Sequence, residues 1–202
     1  VLASSAAVYG EAPPPLAESS ATVPVSPYGA HKLMLEHYGR LYARLHGLEV
    51  VSLRYFNVFG PRQDPGSPYS GVLSRFAAAL AAGRSPTIFG DGQQTRDFVY
   101  VGDVARANVM AIEAAGRAAG RVFNVATGRS RTVLEAFEAM RSVLAVPAEP
   151  EFGPARPGDI RHSAADVSQI REVLGWHPGT SFEVGLRELL AAPSPCEPGT
   201  VS

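Results

Sequence analysis

At 202 residues and 46% hydrophobic content, the chain carries ample apolar material for a packed core in one domain or a domain and a half. A formal net charge of −1, from 18 basic and 19 acidic side chains, implies no basic face and argues against nucleic acid or an anionic membrane as partner. The single Cys196 excludes an internal disulfide or a cysteine-based metal cluster, and no apolar run approaches the ~20 residues of a membrane span. No basic leader precedes an apolar stretch, so the expected location is the cytoplasm.

The chain opens at Val1, without Met, inside an apolar run that reads as a buried strand ending at Ser4 and Ser5. Such an opening raises the expectation of a fragment. A Pro-, Ser- and Ala-rich loop follows, and Pro27 suits the first turn of a helix. Leu33, Leu35, Tyr38, Leu41, Tyr42 and Leu45 then recur at helical spacing, with Gly47 as the C-cap. Leu48–Tyr55 reads as the next strand, Gly60–Pro68 as a loop, and Val72–Ala82 as an Ala-rich helix. Pro86–Phe89 and Asp97–Val101 read as short strands around a polar turn. Val104–Ala115 reads as a helix and Val122–Val125 as a strand. Thr132 with Glu135 predicts a capping box opening a helix over Val133–Leu144. Glu149–Ala165 reads as irregular, Val167–Leu174 and Phe182–Leu190 as short helices, and 191–202 as a disordered tail. Strands alternating with helices imply an α/β protein with a mainly parallel sheet.

Tyr28 and Lys32, in S-P-Y-G-A-H-K, stand four residues apart and share one helix face. A phenol is a poor base near neutrality, and a nearby ammonium favours its phenolate. Such a phenolate can take the proton of an alcohol while hydride leaves the same carbon. Any Tyr and Lys can fall at this spacing, so the pair alone says little. Ser5 adds to it, because open parallel sheets place ligands at the carboxyl ends of their strands. The five histidines show no metal-ligand spacing, and Trp176 reads as packing.

The blocks A-S-S-A-A-V-Y-G, S-P-Y-G-A-H-K, L-R-Y-F-N-V-F-G-P-R-Q-D-P, I-F-G-D-G-Q-Q-T-R-D-F-V-Y-V-G-D-V, F-N-V-A-T-G, R-P-G-D-I-R-H-S-A-A-D and L-G-W-H-P occur in that order. Together they resemble the extended short-chain dehydrogenase/reductase family, and within it the UDP-glucose and UDP-N-acetylglucosamine 4-epimerases. The resemblance implies the carboxyl-terminal part of a Rossmann-like doubly wound parallel sheet plus a smaller mixed α/β substrate-binding region. Residues 1–60 would end the NAD-binding domain and 61–190 would hold the sugar nucleotide, with Asp97–Val125 partly returning to the Rossmann sheet.

The resemblance also implies roles. Tyr28 is the general base and acid, Lys32 binds the nicotinamide ribose, and Ser5 meets the sugar 4-hydroxyl. Ser4 and Tyr55 lie on the cofactor side, and Phe56 and Asn57 beside the sugar diphosphate. Arg96 and Arg156 bind the diphosphate, Asp159 the uridine ribose, and Ser163 sets the room for a 2-acetamido group. Arg62 braces its own loop or meets a second subunit. Related dehydratases and decarboxylases carry acids just before V-Y-G, where this chain has Ala6 and Ala7. The implied reaction is therefore NAD-dependent 4-epimerisation of a UDP-hexose by transient oxidation. A decarboxylase, dehydratase or reductase of the family, or a non-catalytic sugar-nucleotide-binding fragment, is the alternative. No glycine-rich dinucleotide loop follows a strand, so the chain alone is expected to be inactive. The whole enzyme is expected to be a homodimer joined through helices that include the Tyr28 helix.

Overall fold

The computed structural model describes residues 1–67, 71–156 and 160–191. Asp159 and the tail with Cys196 lie outside them, while Ala191, expected in that tail, ends a helix.

Three strands form a parallel sheet in the order β1 (Leu2–Ser5), β2 (Ser52–Tyr55), β6 (Val122–Val125). Register sets Ser5 beside Tyr55 and Tyr55 beside Val125, so the carboxyl ends of all three strands lie level. A second sheet joins β3 (Asn57–Phe59), β5 (Thr95–Tyr100) and β7 (Ser130–Thr132), with β3 parallel and β7 antiparallel to β5. A third pairs β4 (Thr87–Phe89) with β8 (Glu151–Gly153) in parallel. The two strands expected around the Gly90–Arg96 turn thus do not pair with each other. The stretch expected to be irregular supplies a strand, because β4 offers an edge for it.

Helix α1 (Pro27–His46) starts where Ser26 accepts the Gly29 N–H at 3.1 Å and Pro27 occupies the first turn. It ends at Gly47, whose φ of 66° is left-handed, and the Gly47 N–H bonds the Ala43 carbonyl. Helix α1 packs a part-buried Leu33 against the core, but none of its fully buried residues is a large apolar one. Its buried residues are Gly29, Glu36 and Gly39, while Tyr38, Leu41, Tyr42 and Leu45 are exposed. A Cβ on Gly29 would lie 2.5 Å from the Ala7 carbonyl oxygen, so only glycine lets α1 approach the end of β1 this closely.

Between them, the buried Glu36 carboxylate receives Arg54 Nε at 2.8 Å, a terminal Arg54 nitrogen at 2.7 Å and the Ser4 hydroxyl. The Arg54 guanidinium also lies 4.7 Å from the Tyr9 ring centroid. This cluster joins helix, both first strands and the loop after them into one block.

Helix α3 (Val101–Glu113), followed by the short α4 (Ala115–Ala118), starts earlier than its apolar pattern suggested. Its Ala107 and Ala111 are fully buried against the parallel sheet, in a core with Leu53, Phe123, Ile170 and Trp176. The Trp176 indole N–H donates to the Asp103 carbonyl at 3.0 Å. Helices α2 (Val72–Ala81), α5 (Val133–Leu144) and α7 (Phe182–Ala191) surround a second core built on Phe59, Phe76, Phe98, Phe137 and Leu186. Helix α6 (Ser168–Leu174) belongs to the first. The Thr132–Glu135 capping box is present with both reciprocal bonds.

Candidate active site

A cavity of about 260 Å³ opens at the carboxyl edge of the parallel sheet. Ser5, Tyr55, Phe56, Asn57, Arg96 and Ser163 line it, together with Ala6 and Ala7. These residues come from segments far apart in sequence, gathered by strand register and by the 160s segment crossing the sheet end. A second cavity of about 180 Å³ also contains Asn57 and Arg96 in its wall and adds Arg75, Phe89, Gln94 and Arg156. The two shared residues make them neighbouring compartments.

Ser5 ends β1 and turns directly into a 3-10 turn, Ala6–Val8, where its hydroxyl oxygen accepts the Ala7 N–H at 3.2 Å. Gly10, at a φ of 63°, then reverses the chain, and a Cβ there would lie 2.0 Å from the Val23 carbonyl oxygen. That reversal leads the loop back to α1 and sets its first turn against the 3-10 turn. Lys32 donates from Nζ to the Ala3 carbonyl at 2.7 Å and lies 5.5 Å from the Tyr28 ring centroid. Tyr28 is exposed. Neither Tyr28 nor Lys32 is among the residues walling the cavity that holds Ser5. They stand on the adjoining helix, tied to β1 through Ala3. Ser4 points the other way, into the buried cluster with Glu36.

Burial pushes the Tyr55 phenol up in pKa, against a smaller opposing effect of its bond to Asn108 Oδ1 at 2.9 Å. One terminal nitrogen of Arg96 donates to the carbonyls of Thr95 and Ile160, at 2.8 and 2.6 Å. Arg156 is exposed, with its guanidinium carbon 3.8 Å from the Phe89 ring centroid. Asp159 falls outside the described residues.

Ser163 is only 6% exposed and sits between two moorings. Upstream, the Thr95 N–H bonds the Arg161 carbonyl at 2.9 Å. Downstream, the Leu16 N–H bonds the Ala164 carbonyl at 2.8 Å, and the Ala165 N–H bonds Asp97 at 3.3 Å. Asp97 also receives the Thr127 N–H and hydroxyl and the Gly128 N–H. Burial raises its pKa, with those donors acting in the opposite sense.

Sequence reasoning did not single out Arg75, Phe89 or Gln94. Gln94 is buried, donates to the Phe89 carbonyl at 2.8 Å and, among the described residues, its Oε1 finds no partner, a polar atom in a side chain that lines the second cavity. Among the described residues no group of three or more His, Cys, Asp or Glu is placed to hold a metal ion, and no helix is long and apolar enough to cross a membrane.

Residues 1–126 match the family model described as the NAD dependent epimerase/dehydratase family. The UDP-glucose 4-epimerase of Mycolicibacterium smegmatis is 43% identical over 184 residues, covering 91% of this chain and 58% of that protein. The solved structure of the UDP-N-acetylglucosamine 4-epimerase of Methanobrevibacter ruminantium, in complex with UDP-N-acetylmuramic acid, superposes with a TM-score of 0.89 at 44% identity. It is matched over 94% of this chain and 60% of its own. The Thermus thermophilus UDP-glucose 4-epimerase complex with NAD gives a TM-score of 0.83 at 37% identity, over 94% and 61%. The chain thus spans about three fifths of the length of the relatives it matches. With more than half of its length matched by the family model and the same fold in these enzymes, the chain belongs to the NAD dependent epimerase/dehydratase family.

Proposed function

We propose that the whole protein interconverts UDP-hexose 4-epimers with NAD as cofactor. The observation that carries this reading is the cavity itself. It sets the Ser5 hydroxyl at a strand end against Asn57 and Arg96, and lines the intervening wall with Ala6 and Ala7. Two methyl groups cannot move protons. A site that eliminates water or assists loss of carbon dioxide needs an acid there, whereas oxidation and re-reduction at one carbon does not.

The residues of this chain fit the nicotinamide end of the cofactor: an ammonium and a phenol on one helix face, held beside the carboxyl end of β1. NAD, when bound, accepts hydride from the sugar carbon and returns it. Tyr28 would take the proton of the 4-hydroxyl and give it back, Lys32 would hold the ribose hydroxyls, and Ser5 would donate to the sugar oxygen, with Tyr55 bounding the cofactor side; Ser4, expected there from the resemblance, is instead bonded to Glu36 and holds β1 to α1. Arg96, Arg156 and Asn57 would grip the diphosphate, for which guanidinium forks are suited. A firm hold on the diphosphate with few contacts to the hexose allows the oxidised sugar to turn and present its other face. Phe56 would bound the hexose, and Ser163 leaves room for a 2-acetamido group, so UDP-N-acetylglucosamine joins UDP-glucose as a substrate. Residues 1–60 would then serve the cofactor and 61–190 the sugar nucleotide. The exposed Tyr38, Leu41, Tyr42 and Leu45 of α1 support a homodimer through that helix.

The test is proton NMR of UDP-glucose and UDP-N-acetylglucosamine incubated with the whole protein and NAD. The galacto epimers should appear, and Tyr28→Phe should slow turnover by about 100-fold or more while UDP binding persists. Failure to convert either sugar, or full activity in Tyr28→Phe, would overturn the reading. Loss of water or carbon dioxide from the sugar would replace it with a dehydratase or decarboxylase.

A further inference from the structure

A third cavity, of about 350 Å³, shares no lining residue with the two described above. It lies where the turn after β6 meets the segment leading into α7. Arg129, Arg131, Arg171 and His177 line it, and among the described residues Glu183 is the one carboxylate in its wall. Glu183 is engaged by Arg131 at 2.9 Å, and the Arg131 guanidinium also stacks 4.7 Å from the Phe182 ring centroid. Arg129 and Arg171 are exposed, and neither side chain is ion-paired with a carboxylate among the described residues, although Asp166 acts on Arg171 at longer range. Phe182 and Glu183 open α7, a helix of ten residues, so its positive end faces the same space.

We propose that this cavity binds a small phosphate-bearing molecule. Guanidinium groups from separate segments and a helix amino terminus line it together. That arrangement suits a tetrahedral dianion with acceptors all round better than a carboxylate, which accepts mainly in one plane. The volume admits a nucleoside monophosphate or something smaller. Phe182 and Tyr100, both part-exposed, give an apolar side against which a flat ring can lie. The site is independent of the epimerase reading.

The experiment is an amide-resolved NMR titration of the chain with inorganic phosphate and, separately, with UMP. Saturable shifts at Thr127, Arg129 and Ser181 with phosphate, whether or not UMP also gives them, are the expected result. Replacing the exposed pair together, Arg129→Ser and Arg171→Ser, should weaken binding about tenfold or more while the thermal midpoint holds. Four results would overturn the proposal: no saturation below about 10 mM, shifts centred only on Asn57 and Arg96, a response to UMP but not phosphate, or undiminished binding in the double variant.

Discussion

Replacing Arg54 with Met removes the guanidinium that answers the Glu36 carboxylate. Both residues are at most 1% exposed, and Arg54 supplies charge-assisted bonds at 2.8 and 2.7 Å together with the ring contact to Tyr9. After the change Glu36 retains the Ser4 hydroxyl and Arg40, whose guanidinium lies 3.3 Å away on the solvent side and is 46% exposed. Breaking a buried pair from one end costs about 3–5 kcal/mol, because a charge is left in a medium that solvates it poorly. With a urea dependence of ~2 kcal/mol per molar, the unfolding midpoint should fall by about 1.5–2.5 M. Removing the stranded acid as well, in Arg54→Met with Glu36→Leu, should recover at least half of that loss, since apolar replacement of a buried pair is often close to neutral. Urea titrations followed by circular dichroism measure all of the variants. A drop below about 0.5 M in Arg54→Met, or a double variant no better than the sum of the singles, would refute the electrostatic account of how α1 is held.

Gly29→Ala pushes a methyl group to 2.5 Å from the Ala7 carbonyl oxygen and must lift the start of α1 off the Ser5 turn. In the whole protein, kcat should fall about 10- to 100-fold with UDP affinity unchanged, and a change within about twofold would contradict the packing argument. The Arg161 side chain, bonded to Asp91 at 2.8 and 2.7 Å, lowers the Asp91 carboxyl from 3.8 to about 2. A depressed carboxyl contributes stability above its unfolded value and loses it as pH falls from 3.8 towards 2. Carbon-13 NMR should find the Asp91 midpoint near 2 and shifted upward in Arg161→Gln, where the Gln93 N–H at 3.0 Å still favours the carboxylate; an unmoved midpoint would deny the pairing. Ser163→Tyr should reduce turnover of UDP-N-acetylglucosamine while sparing UDP-glucose, and equal loss on both substrates would count against Ser163 as the size limit.

Local rules carried most of what the sequence made legible. Ser26-Pro27, Gly47 and the Thr132–Glu135 box each act within a few residues, so the ends of α1 and the start of α5 could be read directly. Ser5 and Val125 end apolar runs, which placed the sheet edge. The three-residue strands β3, β7 and β8 exist only through partners elsewhere, as Thr87 does for Glu151, and no periodicity announces them. Nothing within a few residues marks Glu36 for burial. Its burial depends on Arg54, eighteen positions along the chain. For the same reason the apolar stripe of α1 was legible but its direction was not: Leu33 packs on the core, whereas Tyr38, Leu41, Tyr42 and Leu45 are exposed and the fully buried positions go to glycine and Glu36. The cavity residues fared better where a dense motif named them, as for Asn57 and Arg96, than where a single amide did so, as for Gln94.

Because Arg161 and Ala164 are each tethered to another strand or loop through the backbone, the wall at Ser163 is a panel hung between fixed posts. Side chains can be exchanged in that panel without unhooking it. A saturation library at position 163 should therefore yield variants that keep the scaffold's shape, which makes it a direct test of whether that panel governs the choice of sugar.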